Sequence, residues 1–163
     1  MSILSEHFCS ICGTELETQY NDTENRYVPY CSMCGEYRFP SFDCAVVMII
    51  FNESKDRTLM INQFNDKKFY FVSGYIDKGE SAEEAVKREL HEEVGLDVIS
   101  EGYIGSHYYE PSNTLMFGYW VTVDDNIQPV TNEEVDDYKW LNIAEDIPMH
   151  PLAEIFVNKY FEK

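Results

Sequence analysis

The chain has 163 residues, 44% hydrophobic and 15% aromatic, which allows one domain with a sizeable core plus a small appendage and excludes a disordered chain. Thirty acidic residues against 12 basic ones give a formal net charge of −18, so extended contact with nucleic acid is opposed, and a phosphorylated small molecule needs a cation between itself and the carboxylates. No apolar run is long enough to cross a membrane, and Ile3 and Leu4 give way at once to polar residues, so the expectation is a cytoplasmic protein with no export signal.

The first section, to about Phe39, is rich in turn residues and poor in continuous apolar sequence. It holds Cys9-Ser-Ile-Cys12-Gly13 and Cys31-Ser-Met-Cys34-Gly35, two knuckles separated by 18 residues. Four thiolates complete a tetrahedral Zn²⁺ shell, and each glycine permits the tight turn that presents the second sulfur. The competing reading is a pair of redox CxxC motifs. With all four positions filled by protein the zinc is structural, replacing a core that so short a segment lacks. The fifth cysteine, Cys44, lies in an apolar run and reads as a core residue.

From Asp43 the character changes. Cys44–Phe51 reads as a buried strand, Arg57–Gln63 and Phe69–Val72 as further strands, with a turn over Asn65-Asp66-Lys67-Lys68 between them. A glycine-bracketed loop, Gly74–Gly79, precedes a helix over Ala82–Val94. Ser81 and Glu84 supply its capping box, and Gly95 suits a left-handed C-terminal cap. Leu96–Ser106 and Leu115–Val123 read as strands joined by an aromatic loop with Pro and Asn. Tyr138–Leu141 is a short strand, and Pro151 opens a terminal helix through Phe161. Mixed strands with two helices predict an α+β sandwich.

On the Ala82–Val94 helix, at about 100° per residue, Val86, Leu90 and Val94 form an apolar arc, and Glu89, Glu92 and Glu93 cluster beside it. Neither Lys87 nor Arg88 falls within that cluster on the wheel. Like charges at these spacings cost a few tenths of a kcal/mol per pair, and converging hard oxygens suit Mg²⁺ or Mn²⁺. A solvated acidic face is the alternative.

The stretch Gly74-Tyr-Ile-Asp-Lys-Gly-Glu80-Ser-Ala-Glu-Glu-Ala-Val-Lys-Arg88-Glu89-Leu90-His-Glu92-Glu93-Val-Gly95-Leu96 resembles the Nudix box, G-x5-E-x7-R-E-U-x-E-E-x-G-U with U a bulky aliphatic, and matches every fixed position. The resemblance implies a Nudix α/β/α sandwich with a mixed sheet and hydrolysis of a nucleoside diphosphate linked to another group. It implies that Glu89, Glu92 and Glu93 hold the catalytic metals and activate water, that Arg88 and Glu80 support them by charge pairing, and that Gly74 lets the loop turn. The Ser73 carbonyl is a further candidate ligand.

A zinc ribbon (residues 1–39) ahead of a Nudix domain (40–163), with the junction Cys34-Gly-Glu-Tyr-Arg-Phe39-Pro40-Ser-Phe-Asp43, is similar to the NADH pyrophosphatase group. That resemblance implies a substrate contact at Phe39 and a homodimer. It also leads to the expectation that the additional N-terminal domain of that group is missing here. Ser106-His107-Tyr108-Tyr109-Glu110-Pro111-Ser112-Asn113-Thr114-Leu115-Met116 stands where the group carries S-Q-P-W-P-F-P-x-S. Its ends and length agree, but Tyr109 replaces tryptophan, Glu110 is new and most prolines are gone. His107, Tyr108 and Tyr109 are candidate substrate contacts on this basis, with strand-end packing the alternative. Asn132-Glu133-Glu134-Val135-Asp136-Asp137-Tyr138-Lys139-Trp140-Leu141 resembles E-I-x-x-A-x-W-F, implying a further metal ligand at Glu134, or at Glu133 after a one-residue slip.

The leading expectation is a Nudix diphosphatase for NAD(H)-like or ADP-ribose-like nucleotides. The alternatives are a Nudix hydrolase of nucleoside triphosphates or nucleotide sugars, and a non-catalytic nucleotide-sensing module whose zinc ribbon recruits a partner.

Overall fold

The computed structural model describes residues 7–63, 68–142 and 149–162. Ile3, Leu4 and the Asn65-Asp66-Lys67 part of the expected turn lie outside them. The chain divides into two compact units, Met1–Phe42 and Asp43–Lys163. Asp43 already pairs with Thr114 in the main sheet, which is why the second unit begins there.

The first unit is an antiparallel meander of β1 (Glu17–Asn21), β2 (Arg26–Cys31) and β3 (Glu36–Tyr37). One knuckle precedes β1; the other is the β2–β3 turn, where Cys31 pairs with Glu36. Among its described residues few are buried: Cys9, Leu16, Val28, Pro29 and Cys31. Edge-to-face pairs Tyr20–Tyr27 and Tyr30–Tyr37, with centroids 5.2 and 5.1 Å apart, add cross-strand contact. A hydrophobic core this thin stabilises little by itself.

The second unit is built on one mixed sheet of β4 (Asp43–Asn52), β5 (Thr58–Asn62), β6 (Val72–Tyr75), β7 (Ser100–Tyr109), β8 (Thr114–Val123) and β9 (Asp137–Leu141). The order is β7-β8-β4-β5-β9, with β6 also paired to β4. β4 and β8 run parallel over ten residue pairs, Asp43↔Thr114 to Asn52↔Val123. The other pairings are antiparallel.

β4 is apolar without alternation because both faces of the sheet are covered. Val46, Met48 and Ile50 meet Ala85, Val86, Leu90 and Val94 of α1 (Ala82–Val94). Ala45, Val47, Ile49 and Phe51 form the opposite face with Ala153 and Phe156 of α2 (Pro151–Phe161). Truncating a residue such as Leu90 to alanine would cost about 2–5 kcal/mol. The architecture is the expected α+β sandwich, helix against sheet against helix.

Two elements differ from the sequence reading. Gly74 lies inside β6, paired with Val46, and not in a loop, because Val72–Tyr75 completes the edge of β4 beside the short β5 contact. β7 runs on to Tyr109 instead of ending at Ser106, and the connection is only a 3₁₀ turn over Glu110–Ser112. The pairings His107↔Met116 and Tyr109↔Thr114 turn the expected aromatic loop into the end of a hairpin.

Candidate active site

α1 begins with the full capping box: the Glu84 N–H donates to Ser81 Oγ at 3.2 Å, and the Ser81 N–H to Glu84 Oε2 at 2.8 Å. Gly95 closes it in the left-handed conformation, φ 67°. With both ends fixed, the helix rotation is set by Val86, Leu90 and Val94 in the core. That rotation puts Glu93 at the edge of the apolar stripe, 3% exposed. Its Oε2 is buried with no hydrogen-bond partner. Desolvation, followed by the charges of Glu89, Glu134 and Glu92, pushes its carboxyl up to about 8.

Glu89 lies one turn earlier, and its carboxylate rests directly on the backbone of Gly74. A Cβ at Gly74 would overlap it. The glycine is required by this close approach, and not by the turning of a loop. Burial raises the Glu89 carboxyl, against the Arg88 hydrogen bond that lowers it.

Arg88 lies outside the acidic cluster on a helical wheel, but its side chain reaches back into it. Its Nε and one terminal nitrogen donate to the two oxygens of Glu80, both at 2.8 Å. The other terminal nitrogen donates to Glu89 at 2.6 Å and Glu92 at 3.2 Å. The Tyr75 carbonyl accepts a further bond at 2.9 Å. The expectation that the three carboxylates converge without a cation is therefore corrected, since a wheel locates Cβ atoms and not the far end of an arginine. Hydrogen bonds from Arg88 and the Asp77 backbone hold Glu80 down at about 2, and Glu80 in turn raises Arg88.

The loop after β8 is tied to the end of α1. Val130 and Asn132 donate to the Val94 and Glu93 carbonyls at 2.9 and 3.2 Å. Asn132 Oδ1 then accepts from the Glu134 N–H at 3.0 Å. This brings Glu134 to a cleft of about 620 Å³, whose wall also includes Ser73, Gly74, Arg88, Glu89, Glu92 and Glu93. Glu133 is not among its lining residues. Tyr109, Met116 and Leu152 line the same cleft. Tyr108, one residue earlier on β7, points to the other face of the sheet and donates to Asn113 at 2.7 Å. His107 is half-buried and does not line the cleft. Phe39, 49% exposed, belongs to the first unit. Asp77, Asn132, Ser112 and Thr114 also line the cleft, and reading the sequence did not single them out for it. Asp77 lies within the box itself, at a position the motif leaves free.

A hard dication fits this chemistry. The donors are carboxylate oxygens, one of them is buried and unpartnered, and the like charges raise one another. Among the described residues, however, the four cysteines are the only group of three or more His, Cys, Asp or Glu side chains whose ligand atoms all lie within 4.8 Å of one another. Arg88 is hydrogen-bonded to two of the glutamates, Glu89 and Glu92.

In the first unit the sulfur separations are 3.9 Å for Cys9–Cys34, 3.5 Å for Cys12–Cys31 and 3.4 Å for Cys12–Cys34. The edge of a zinc–thiolate tetrahedron is about 3.8 Å for a 2.3 Å bond. The knuckles share one conformation: Gly13 and Gly35 have φ 73° and 72°, and each N–H donates to the first cysteine's carbonyl at 2.8 Å. Burial raises the Cys9 thiol, but the Cys12 and Ile11 backbone and the Arg38 guanidinium outweigh it and bring it to about 6. Hydrogen bonds with Cys12 and Cys31 push Cys34 up to about 12. Four thiols so close cannot all ionise without a shared cation, and this cluster is suited to hold a metal.

The NUDIX domain family matches residues 42–160. Among curated relatives, the NAD-capped RNA hydrolase NudC of Pseudomonas aeruginosa is 28% identical over 137 residues, 83% of this chain and 48% of that protein. NudC of Stutzerimonas stutzeri is 26% identical over 152 residues, 93% and 53%. Nudix hydrolase 19, chloroplastic, of Arabidopsis thaliana is 31% identical over 143 residues, 82% and 32%. The chain spans about half the length of the NudC relatives it matches. A NUDIX hydrolase structure from Nitrosomonas europaea superposes with TM-score 0.71 at 16% identity, covering 96% of this chain and 91% of that one. A NUDIX-family hydrolase from Clostridium perfringens gives 0.61 at 20%, covering 75% and 96%. Likeness at these identities establishes the fold.

Proposed function

The chain belongs to the NUDIX domain family, and on that premise we propose that it is a Mg²⁺- or Mn²⁺-dependent hydrolase of nucleotide diphosphate linkages, with NAD(H)- or ADP-ribose-like substrates favoured. The observation that carries this reading is that Glu89, Glu92, Glu93, Glu134 and Ser73 line one cleft, with Glu93 Oε2 buried and unpartnered. These carboxylates and the Ser73 carbonyl would hold the metal. When bound, it neutralises the diphosphate and lowers the pKa of water. Glu80 anchors Arg88, which steadies Glu89 and Glu92, and one of the helix carboxylates takes the proton of the attacking water. Tyr109 stacks on a planar base, the role its alignment with the family's tryptophan supports. Cys9, Cys12, Cys31 and Cys34 hold a structural Zn²⁺.

The Pseudomonas and Stutzerimonas relatives act on NAD-capped RNA, and such a cap carries the same diphosphate as NADH. The net charge of −18 favours reading the cap over gripping the RNA chain. We place the enzyme in the cytoplasm, and sedimentation tests whether it is a homodimer. The function is tested by a panel of NADH, ADP-ribose, nucleoside triphosphates and nucleotide sugars with Mg²⁺ or Mn²⁺. AMP plus nicotinamide mononucleotide from NADH is the expected result. Inorganic diphosphate from a triphosphate would move the assignment to the second substrate class, and binding without turnover of any member would defeat the enzyme reading.

A further inference from the structure

His150 lies outside the carboxylate cluster, yet it joins three segments of the second unit: the start of α2, the Phe69–Tyr70 segment and the end of β7. Its Nδ1 accepts from the Leu152 N–H at 3.3 Å and so caps α2. The His150 backbone N–H donates to the Phe69 carbonyl at 3.0 Å, in the segment where Tyr70 bridges to Ile61. Its ring stacks on Tyr70, with centroids 5.3 Å apart and planes 25° from parallel. The same ring meets Tyr109 edge-on, at 6.3 Å and 72°. Tyr109 and Leu152 line the cleft, and His150, which does not, contacts both.

Capping alone does not call for histidine. Asn, Asp, Ser and Thr are the preferred N-cap residues, since a short oxygen-bearing side chain does that work best. An imidazole at this position adds a flat aromatic ring, which stacks on Tyr70 and meets Tyr109 in a T-shaped contact. A tyrosine at a strand end has rotamer freedom, and an edge-to-face partner locked by a helix cap removes it.

We propose that His150 is a positioning residue for substrate recognition, fixing the Tyr109 ring in the attitude against which the planar base of a nucleotide stacks. This rests on the reading that the cleft takes a nucleotide, but the test separates the two.

The test compares the wild-type protein with His150→Asn, which keeps the cap and loses the ring, and with His150→Phe, which keeps a ring and loses the cap. AMP affinity is measured by calorimetry, NADH hydrolysis by steady-state kinetics, and stability by thermal melting. His150→Asn should weaken AMP binding and raise the NADH KM by roughly two- to tenfold, with a smaller change in kcat and a melting temperature near wild type. His150→Phe should melt earlier while binding AMP nearly as well as wild type.

Unchanged AMP affinity in His150→Asn, or equal weakening in both variants, overturns the proposal; the second result assigns the effect to the cap. Wild-type protein that binds AMP, loses affinity in His150→Asn and cleaves no diphosphate leaves this inference standing and removes the hydrolase reading. Absence of AMP binding by the wild-type protein overturns this inference whether or not NADH is cleaved.

Discussion

The four cysteines and the four cleft glutamates are both clusters of potential anions, but they are assembled in different ways. The cysteines come from two short knuckles of the same conformation, and their sulfurs lie within 4.8 Å of one another. Their geometry is set by local turns and is closed. The glutamates come from three positions on one helix and one on a distant loop, and they remain spread. Arg88 pairs with Glu89 and Glu92, and Glu93 Oε2 is left buried without a partner. A closed set of soft ligands suits a metal that supports structure. An open set of hard ligands with a neighbouring cleft suits one that meets substrate.

Removing metal from each cluster in turn is the most severe test of this contrast. Chelating the proposed zinc, or replacing Cys31 with serine, should unfold the first unit, because a structural zinc site contributes about 10 kcal/mol or more at neutral pH. NMR should show loss of dispersion for residues 7–42, while the sheet of the second unit persists. A ribbon that stays folded without metal would contradict the structural role.

Glu93→Gln should do the reverse. Turnover should fall by roughly 100- to 10,000-fold with the fold intact. The melting temperature of the metal-free protein should hold or rise, since a buried, unpartnered carboxylate is removed. Gly74→Ala should have a smaller effect: displacing Glu89 by a methyl group should lower kcat by up to about 100-fold and weaken Mn²⁺ binding seen by electron paramagnetic resonance. Wild-type metal affinity in that variant would argue against Glu89 as a ligand.

The smallest effects are those of pH, and they have opposite signs at two glutamates of the same helix region. Glu93 has a raised folded value, about 8. Its contribution to stability is intact below the unfolded value near 4.5 and is lost as the pH rises through 8. Glu80 is depressed to about 2, so its contribution is present above 4.5 and is lost as the pH falls towards 2. Melting of the metal-free protein across this range should show both slopes. Binding of Mn²⁺ at pH 7 should release protons, measurable as a dependence of the calorimetric heat on the buffer.

Much of this molecule is legible from its residues alone, and most clearly where the determining interactions are local. The capping box at Ser81 and Glu84, the left-handed Gly95, the knuckle glycines and the continuous apolar run of β4 each depend on residues a few positions apart. The helix and its carboxylates therefore follow from spacing, as does the pattern of four cysteines. What the spacing misjudged concerned contacts across elements: the reach of Arg88 into the carboxylates, Gly74 as the floor beneath Glu89, and the extension of β7 that turns Tyr108 away from the cleft while Tyr109 faces it.

Those contacts depend on how β6, β7 and the loop at Asn132 are brought onto α1 by the sheet. The aromatic group of Tyr70, Tyr109 and His150 is the extreme case, since its members are separated by about 40 residues at each step and no local pattern joins them. Composition and spacing settled which groups the protein carries and on which elements. Long-range packing, which fills both faces of one sheet with apolar side chains, decided which of those groups meet.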